Sequence, residues 1–350
     1  MTTKRKTATH IRTRPEQDAS RGPGARAPED GRRRTFVAAV LGVAALATVG
    51  ALAAVGTFNG NAAPLTNCAG TPASCGYPGA TNTGVPSGTT LKSVPGQVSS
   101  GPGWSYNASD KEVIVTGNGT VLSGLSIPYT VAIQASNVTV NDVQIVTGGS
   151  FAISLTHTAG VTIENSTISG TNATTGRVNV AIDDVYGDST GEVIKDNNIS
   201  AFRTAMQVSA GLVQGNYIHD PGYIAGDHTN GIVTNGGTAS MTIEDNTIFN
   251  SLGQTDAISL DAAAAGTTVA NKTIENNFLA GGGYSIYGGD GQNNPTSKIV
   301  ITGNRFGQNY YAKGGQFGAV AYYNPAGTGN VWSGNSWDTT GQAISSPSAP

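Results

Sequence analysis

Five side chains of the kinds that move protons or hold charge stand at related places: Arg203, His228, Asn230, Asp256 and Tyr284. Each lies two to four positions ahead of an aliphatic residue (Met206, Ile232, Ile258 or Ile286) that recurs in one frame. If that frame stacks, the five come from four adjacent turns of chain at one edge of one sheet. Such a set suits β-elimination. A base removes the proton beside a carboxylate, and a cation or amide stabilises the enolate-like charge that develops. Asp227 and Asp256 would supply oxygen ligands if the site held calcium, the one cofactor this set suggests.

A second column follows each aliphatic residue by one position: Asp183, Gln207, Ser259 and Tyr287. Of these, Asp183, Gln207 and Tyr287 are candidate substrate-binding residues. Hydrolysis would need two carboxylates about 5–9.5 Å apart. Asp183 and Asp256 lie three turns apart, roughly 14 Å, and Asp183 and Asp184 point to opposite faces. Only Asp227 with Asp256 could pair, through a loop. A lyase therefore ranks above a glycoside hydrolase.

Plainer roles stand beside these. His228 precedes a turn and could simply bond to a loop. His219-Asp220 before Pro221 reads as a turn cap. Asp183-Asp184 could tune a turn, and His157 reads as surface. Tyr284 and Tyr287 could pack on nearby glycines or stack on a sugar ring. Tyr310-Tyr311 and Tyr322-Tyr323 could form an aromatic platform or cover the last coil.

The frame comes from a repeat. The segments IENSTI, IKDNNI, VQGNYI, IEDNTI, IENNFL and ITGNRF begin at Ile163, Ile194, Val213, Ile243, Ile274 and Ile301. Their fourth position reads Ser166, Asn197, Asn216, Asn246, Asn277 and Asn304; Leu125 and Val143 precede the series and Asn335 closes it. Spacings of 18 to 31 residues, strand-type segments and no helical stretch predict a β-solenoid of roughly nine coils. The Asn is assigned two tasks: a left-handed turn between strands, and amide hydrogen bonds between coils. A second column pairs a small residue with the aliphatic one, from Ala152-Ile153 to Ala319-Val320, and predicts an inward ladder with period-two alternation. The Pro- and Gly-rich stretch 75–91 is the expected cover for the open N-terminal end.

Composition agrees. Of 350 residues only 12% are charged and 49 are Gly, which favours strands and tight turns. Residues 1–34 hold ten basic and four acidic residues, a net of +6; the remainder holds nine and eighteen, a net of −9. An acidic body argues against nucleic acid as partner. Residues 36–55 carry no charge and follow three arginines, as a membrane-spanning helix or secretory signal would. Basic residues before the span place the rest outside the cell. Cleaved signal and retained anchor both remain open. Cys68 and Cys75, seven apart, predict a disulfide in an exported protein. The expected organisation is a basic leader at 1–35, the apolar helix at 36–55, a linker and cap at 56–109, the solenoid at 110–340 and a tail at 341–350.

These residues resemble the pectate-lyase-like right-handed parallel β-helix superfamily, and in particular secreted actinobacterial members. The resemblance rests on residues 75–91 (CGYPGATNTGVPSGTTL), residues 218–231 ending in HTNG, and residues 279–289 (LAGGGYSIYGG). It implies an all-β single-domain solenoid. It does not fix an activity, because lyases, hydrolases, epimerases and adhesins share the fold. The polygalacturonase-like motifs are missing beyond Asp183-Asp184, and the Trp-Ile-Asp-His element of pectate lyases is missing too. Asn230 stands where the resembling proteins often carry Asp. Two expectations follow. One is an exported monomeric lyase acting on an acidic polysaccharide. The other is a non-catalytic surface β-helix that binds glycan or wall polymer.

Overall fold

The computed structural model describes residues 68–347 apart from Ala263. The basic leader and the apolar segment 36–55 lie outside the described residues. Among the described residues no helix is long and apolar enough to cross a membrane.

The chain winds as a right-handed parallel β-solenoid with almost no helix. Its strands form three sheets of nine, ten and eleven strands. Sheet I holds the segments before each corner, such as Thr162–Glu164; sheet II those after it, such as Thr167–Ser169; sheet III the small–aliphatic pairs, such as Val178–Asp184. Eight successive triplets run from Val121–Ser123 to Gly318–Ala321, so the first and last are about seven turns apart. Val331–Ser333 and Ser336–Trp337 add a ninth, incomplete coil.

The corner between sheets I and II explains the repeat. The backbone N–H of Asn197 donates to Asn216 Oδ1 at 3.0 Å, that of Asn216 to Asn246 at 2.9 Å, and that of Asn246 to Asn277 at 3.0 Å. Asn277 donates to Asn304 and Asn304 to Asn335, both at 3.0 Å. Each Nδ2 also donates to the next Oδ1 and to a carbonyl of the preceding coil, as Asn246 does to Val213 O at 2.9 Å. Ser166 begins the ladder by donating to Asn197 Oδ1 and accepting from Val143 N–H with its hydroxyl. These asparagines are fully buried, so every bond forms away from competing water.

The ladder asparagine is not the left-handed residue. That task falls to the position before it: Gly124, Asp142, Asn165, Asp196, Gly215, Asp245, Asn276, Gly303 and Gly334, with φ from 48° to 67°. Only Gly, Asn and Asp fill this column, the residues that enter the region at least penalty. The sharp turn there directs the next side chain inward, which buries the amide.

Sheets I and II alternate strictly, with Ile163, Ile194 and Ile243 inward in one and Ile168, Ile199 and Ile248 inward in the other. Sheet III departs from the expected alternation. Ala181 and Ile182 are both core residues, as are Ala205 and Met206. The strand bends there, and the first of the two must be small. A Cβ on Gly231 would come within 2.2 Å of Ala257 O and 2.7 Å of Ile248 Cγ2. The aliphatic members stack in register from Ile153 through Ile182, Met206, Ile232, Ile258 and Ile286 to Val320.

Residues 75–91 do not cover the N-terminal end. Cys68 lies beside the last coil, its N–H donating to Asp338 Oδ2 at 3.2 Å. From there the chain runs back along the outside of the stack. Tyr77 packs on Phe278 at 5.2 Å, Gly84 N–H donates to Asp196 O at 2.9 Å, and Lys92–Ser93 joins sheet II beside Leu125–Ile127. The segment is a strap, bonded to itself by the Cys68–Cys75 disulfide, and it shields Phe249 and Phe278 on the outer face of sheet II. The N-terminal end is covered instead by Trp104–Asn107, which pairs antiparallel with Glu112–Val115 and buries Trp104. At the other end residues 341–344 fold back, with Trp332 Nε1 donating to Ile344 O at 2.8 Å.

Asn246→Ala removes an acceptor from Asn216 and donors from Val213 O and Asn277 Oδ1. It should lower the unfolding free energy by about 3–5 kcal/mol, at roughly 1–3 kcal/mol per orphaned buried group. Asn276→Gly, one position before a ladder residue, should change it by less than about 1 kcal/mol. Urea titrations read both; equal losses would show that the ladder does not hold the coils.

Candidate functional site

The outer face of sheet III carries both polar columns in register. Val180, Thr204, Asn230 and Asp256 form one, and Ser154, Asp183, Gln207, Val233, Ser259 and Tyr287 the other. Tyr284 follows Asp256 at the same place in the next coil. Turns from sheet II to sheet III wall one side of this face, bringing in Arg177, Asp227 and His228.

Arg203 is half-buried, yet among the described residues its side chain makes no hydrogen bond or salt bridge, and its buried Nε has no partner. It lies close enough to Asp183 to influence its titration. Asp183 is 4% exposed and its Oδ1 is buried without a partner. Burial pushes its carboxyl up to about 6, the neighbouring Asp184 adds to the rise, and Arg203 draws it back. Asp184 points the other way, as the sequence predicts. It accepts from Ser189 N–H at 3.1 Å and Ser189 Oγ at 2.9 Å and so holds a turn. Behind it Glu192 is also buried and pushed up to about 6, first by burial; its own amide opposes the rise and Asp184 adds to it.

Asp227 is engaged elsewhere. Arg177 Nε and Nη2 donate to its two oxygens at 2.5 and 2.6 Å, and Ile224 N–H donates at 2.8 Å. Burial pushes this carboxyl up, but the Arg177 and Ile224 bonds and the charges of Arg177 and Arg203 outweigh it and hold it below the usual range. Asp256 is 2% exposed, and burial, reinforced by Asp261, raises its carboxyl well above the usual range. One acid is engaged by an arginine and the other is shut away from solvent. The calcium expected at Asp227 and Asp256 would find the first already bonded to Arg177 and Ile224 and the second almost wholly buried. Among the described residues no cluster of three or more His, Cys, Asp or Glu is placed to hold a metal.

Toward the C-terminal coils the face becomes aromatic. Tyr284 meets Tyr287 edge-on at 5.5 Å and Phe317 at 5.9 Å, and Tyr287 stacks on Tyr322 at 5.6 Å. Phe317 and Tyr322 are 58% and 46% exposed, which leaves ring faces open to a ligand. Burial, then the charge of Asp256, pushes the Tyr287 hydroxyl up to about 12, so it is a donor at any ordinary pH. Tyr323 turns inward against Trp332 and covers the last coil. Of the two adjacent tyrosines, Tyr323 takes the covering role and Tyr322 stays on the face.

Among the remaining expectations, His228 is exposed and its side chain makes no hydrogen bond, while its carbonyl accepts from Asn230 Nδ2 at 3.2 Å. His219 sits between Asp220 Oδ2 at 2.7 Å and Asn198 Oδ1 at 3.0 Å and stacks on Tyr217. Its two nitrogens both face oxygens, so it is held as a strut. His157 pairs with Asp188 on the surface at 2.6 Å. Two residues of the face were missed in the sequence. Phe317 occupies the column of Arg203, Thr229 and Thr255, so the frame could have found it. Arg177 lies in a long insertion between coils, and no periodic signal marks it.

No family model matches the chain, and no curated protein or solved structure matches it.

Asp183 and Glu192 give a pH dependence with a definite sign. Their folded-state carboxyls titrate near 6, above the ordinary unfolded values. Between about pH 4 and 6 the folded state binds more protons, so both groups lower stability as pH rises through that window. Asp183→Asn should raise the unfolding free energy at pH 7.5 by about 2–3 kcal/mol and leave it nearly unchanged at pH 4. Urea titrations at both pH values test this; a gain that does not depend on pH would contradict the assignment.

Proposed function

We propose that the chain is an exported polysaccharide-processing protein whose sheet III face takes an acidic glycan and cleaves it by β-elimination, in the manner of a pectate-lyase-like enzyme. One observation carries the reading: an unpartnered, half-buried guanidinium at Arg203 within electrostatic reach of a carboxyl at Asp183 that burial pushes up to about 6. A free arginine fork suits a uronate carboxylate, which it can bind through two parallel hydrogen bonds. A carboxylate titrating near neutrality suits a general base.

In this reading Arg203 neutralises the uronate carboxylate and so acidifies the adjacent C–H. Asp183 as carboxylate takes that proton. The electron pair forms the new carbon–carbon double bond, and the glycosidic C–O bond on the neighbouring carbon breaks. The leaving oxygen receives a proton from water or from exposed His228. Asn230 and Gln207 orient hydroxyls, and Tyr284 and Tyr287 place sugar rings against the aromatic end of the face. The Cys68–Cys75 disulfide and the basic, apolar leader support export.

A second reading is a non-catalytic glycan binder. It is favoured by the depth of both acids, since Asp183 and Asp256 are only 4% and 2% exposed.

Incubation with pectic, alginate and glycosaminoglycan polymers, followed by ultraviolet absorbance of the unsaturated uronate, separates the readings. The lyase reading predicts product on at least one polymer. Arg203→Ala and Asp183→Asn should each lower the rate by about 10²-fold or more, although Asp183→Asn stabilises the fold. Polymer binding without unsaturated product or new reducing ends would leave the binder. Neither binding nor product on any polymer would overturn both.

A further inference from the structure

The loop wall beside the face carries a separate, open pocket of about 280 Å³, lined by Tyr223, Leu252, Gly253, Gln254, Tyr311 and Gln316. Three turns from sheet II to sheet III build it. They follow Tyr217–Ile218, Thr247–Asn250 and Arg305–Phe306, so residues distant in sequence meet at one spot.

The chemistry of the lining is specific. It carries no charged side chain. The nearby Arg177 and Asp227 satisfy each other, so the surroundings add no net charge. The side-chain amides of Gln254 and Gln316 make no hydrogen bond within the described residues, leaving donors and acceptors for a ligand. Tyr223 is 41% exposed and, among the described residues, stacks on no other ring. Tyr311 is fixed by its hydroxyl, which donates to Ser251 O at 3.3 Å. Two aromatic faces and two free amides around a small uncharged hollow match the alternating apolar and hydroxyl surfaces of one sugar ring.

Gly253 keeps the hollow open. A Cβ there would lie 2.2 Å from Gln316 Oε1 and 3.0 Å from the Tyr311 hydroxyl. A side chain at 253 would enter the pocket and push only the mobile end of Gln316 and the tyrosine hydroxyl.

We propose that this pocket binds a single neutral pyranose, a branch or end unit of a polysaccharide, separately from the acidic-glycan face. The site does not require that face to be catalytic. An acidic polymer with neutral side sugars would occupy both at once, the charged backbone along sheet III and the branch in the loop wall.

Saturation-transfer NMR and calorimetry on the full-length chain test this, with the methyl glycosides of glucose, galactose, mannose and xylose as probes and methyl galacturonide as the charged counterpart. At least one neutral glycoside should bind with a Kd on the order of 1 mM, a value typical of one small ring. Gly253→Leu and Gln316→Ala should each weaken it about tenfold or more, while Arg203→Ala and Tyr322→Ala leave it unchanged. Circular dichroism of Gly253→Leu checks that the fold persists. Three results would overturn the proposal: no neutral glycoside bound, binding that survives Gly253→Leu, or binding lost with Arg203→Ala. Failure here with lyase activity intact would remove the pocket and leave the face.

Discussion

A side-chain amide repeated at one corner sets the geometry of the molecule. Each ladder asparagine bonds to the coil before it and the coil after it, and no water reaches those bonds. Backbone pairing alone fixes the distance between coils at ~4.8 Å but tolerates sliding along the strands. The amide removes that freedom, because its oxygen must meet one particular N–H and its nitrogen one particular carbonyl. The left-handed residue before it is part of the same device. Without the sharp turn at Asp245 or Asn276 the next amide would not point inward.

The consequences reach the outer face of sheet III. With one corner locked, insertions can be placed in other turns without disturbing the stack. The turns entering sheet III use this freedom most visibly near Arg177, Tyr223, Leu252 and Tyr311, and they form a wall beside a flat face. On that face the side chains repeat at the spacing of the coils. Arg203, Asn230, Asp256 and Tyr284 rise in successive steps, and the character changes from cationic to amide to buried acid to aromatic. A rigid rack of this kind presents groups to an extended polymer with little ordering left to do on binding. The raised carboxyls of Asp183 and Asp256 show groups kept in the face against the fold's own preference, a tension common at functional sites.

The sequence makes the repeats legible because both signals are local and periodic. The Asn column and the small–aliphatic column each predict the register that the strands adopt. The division of labour at the corner is less legible. Asp, Asn and Gly alternate in one column and Asn fills the next, so the turn and the ladder look like one feature until the φ angles separate them. The strap is illegible for a different reason. Residues 75–91 have no period, and nothing in their composition tells a cover over the end from a band along the side. At the site, residue types and columns could be read, but partners could not. The Arg177–Asp227 pair joins two loops fifty residues apart, and it takes away the carboxylate on which a calcium site would depend. By the same pairing Arg203 is left free, which chain order alone does not reveal.

The central claim is that the buried amides hold the coils in step. Native-state hydrogen exchange tests it most directly, through the backbone N–H groups of Asn216, Asn246, Asn277 and Asn304, each of which donates to the asparagine of the next coil. The account predicts that these amides exchange only through global unfolding, with the same dependence on denaturant as unfolding itself. Exchange as fast as that of the exposed loop amides of Ala225 and Gly226 would contradict it.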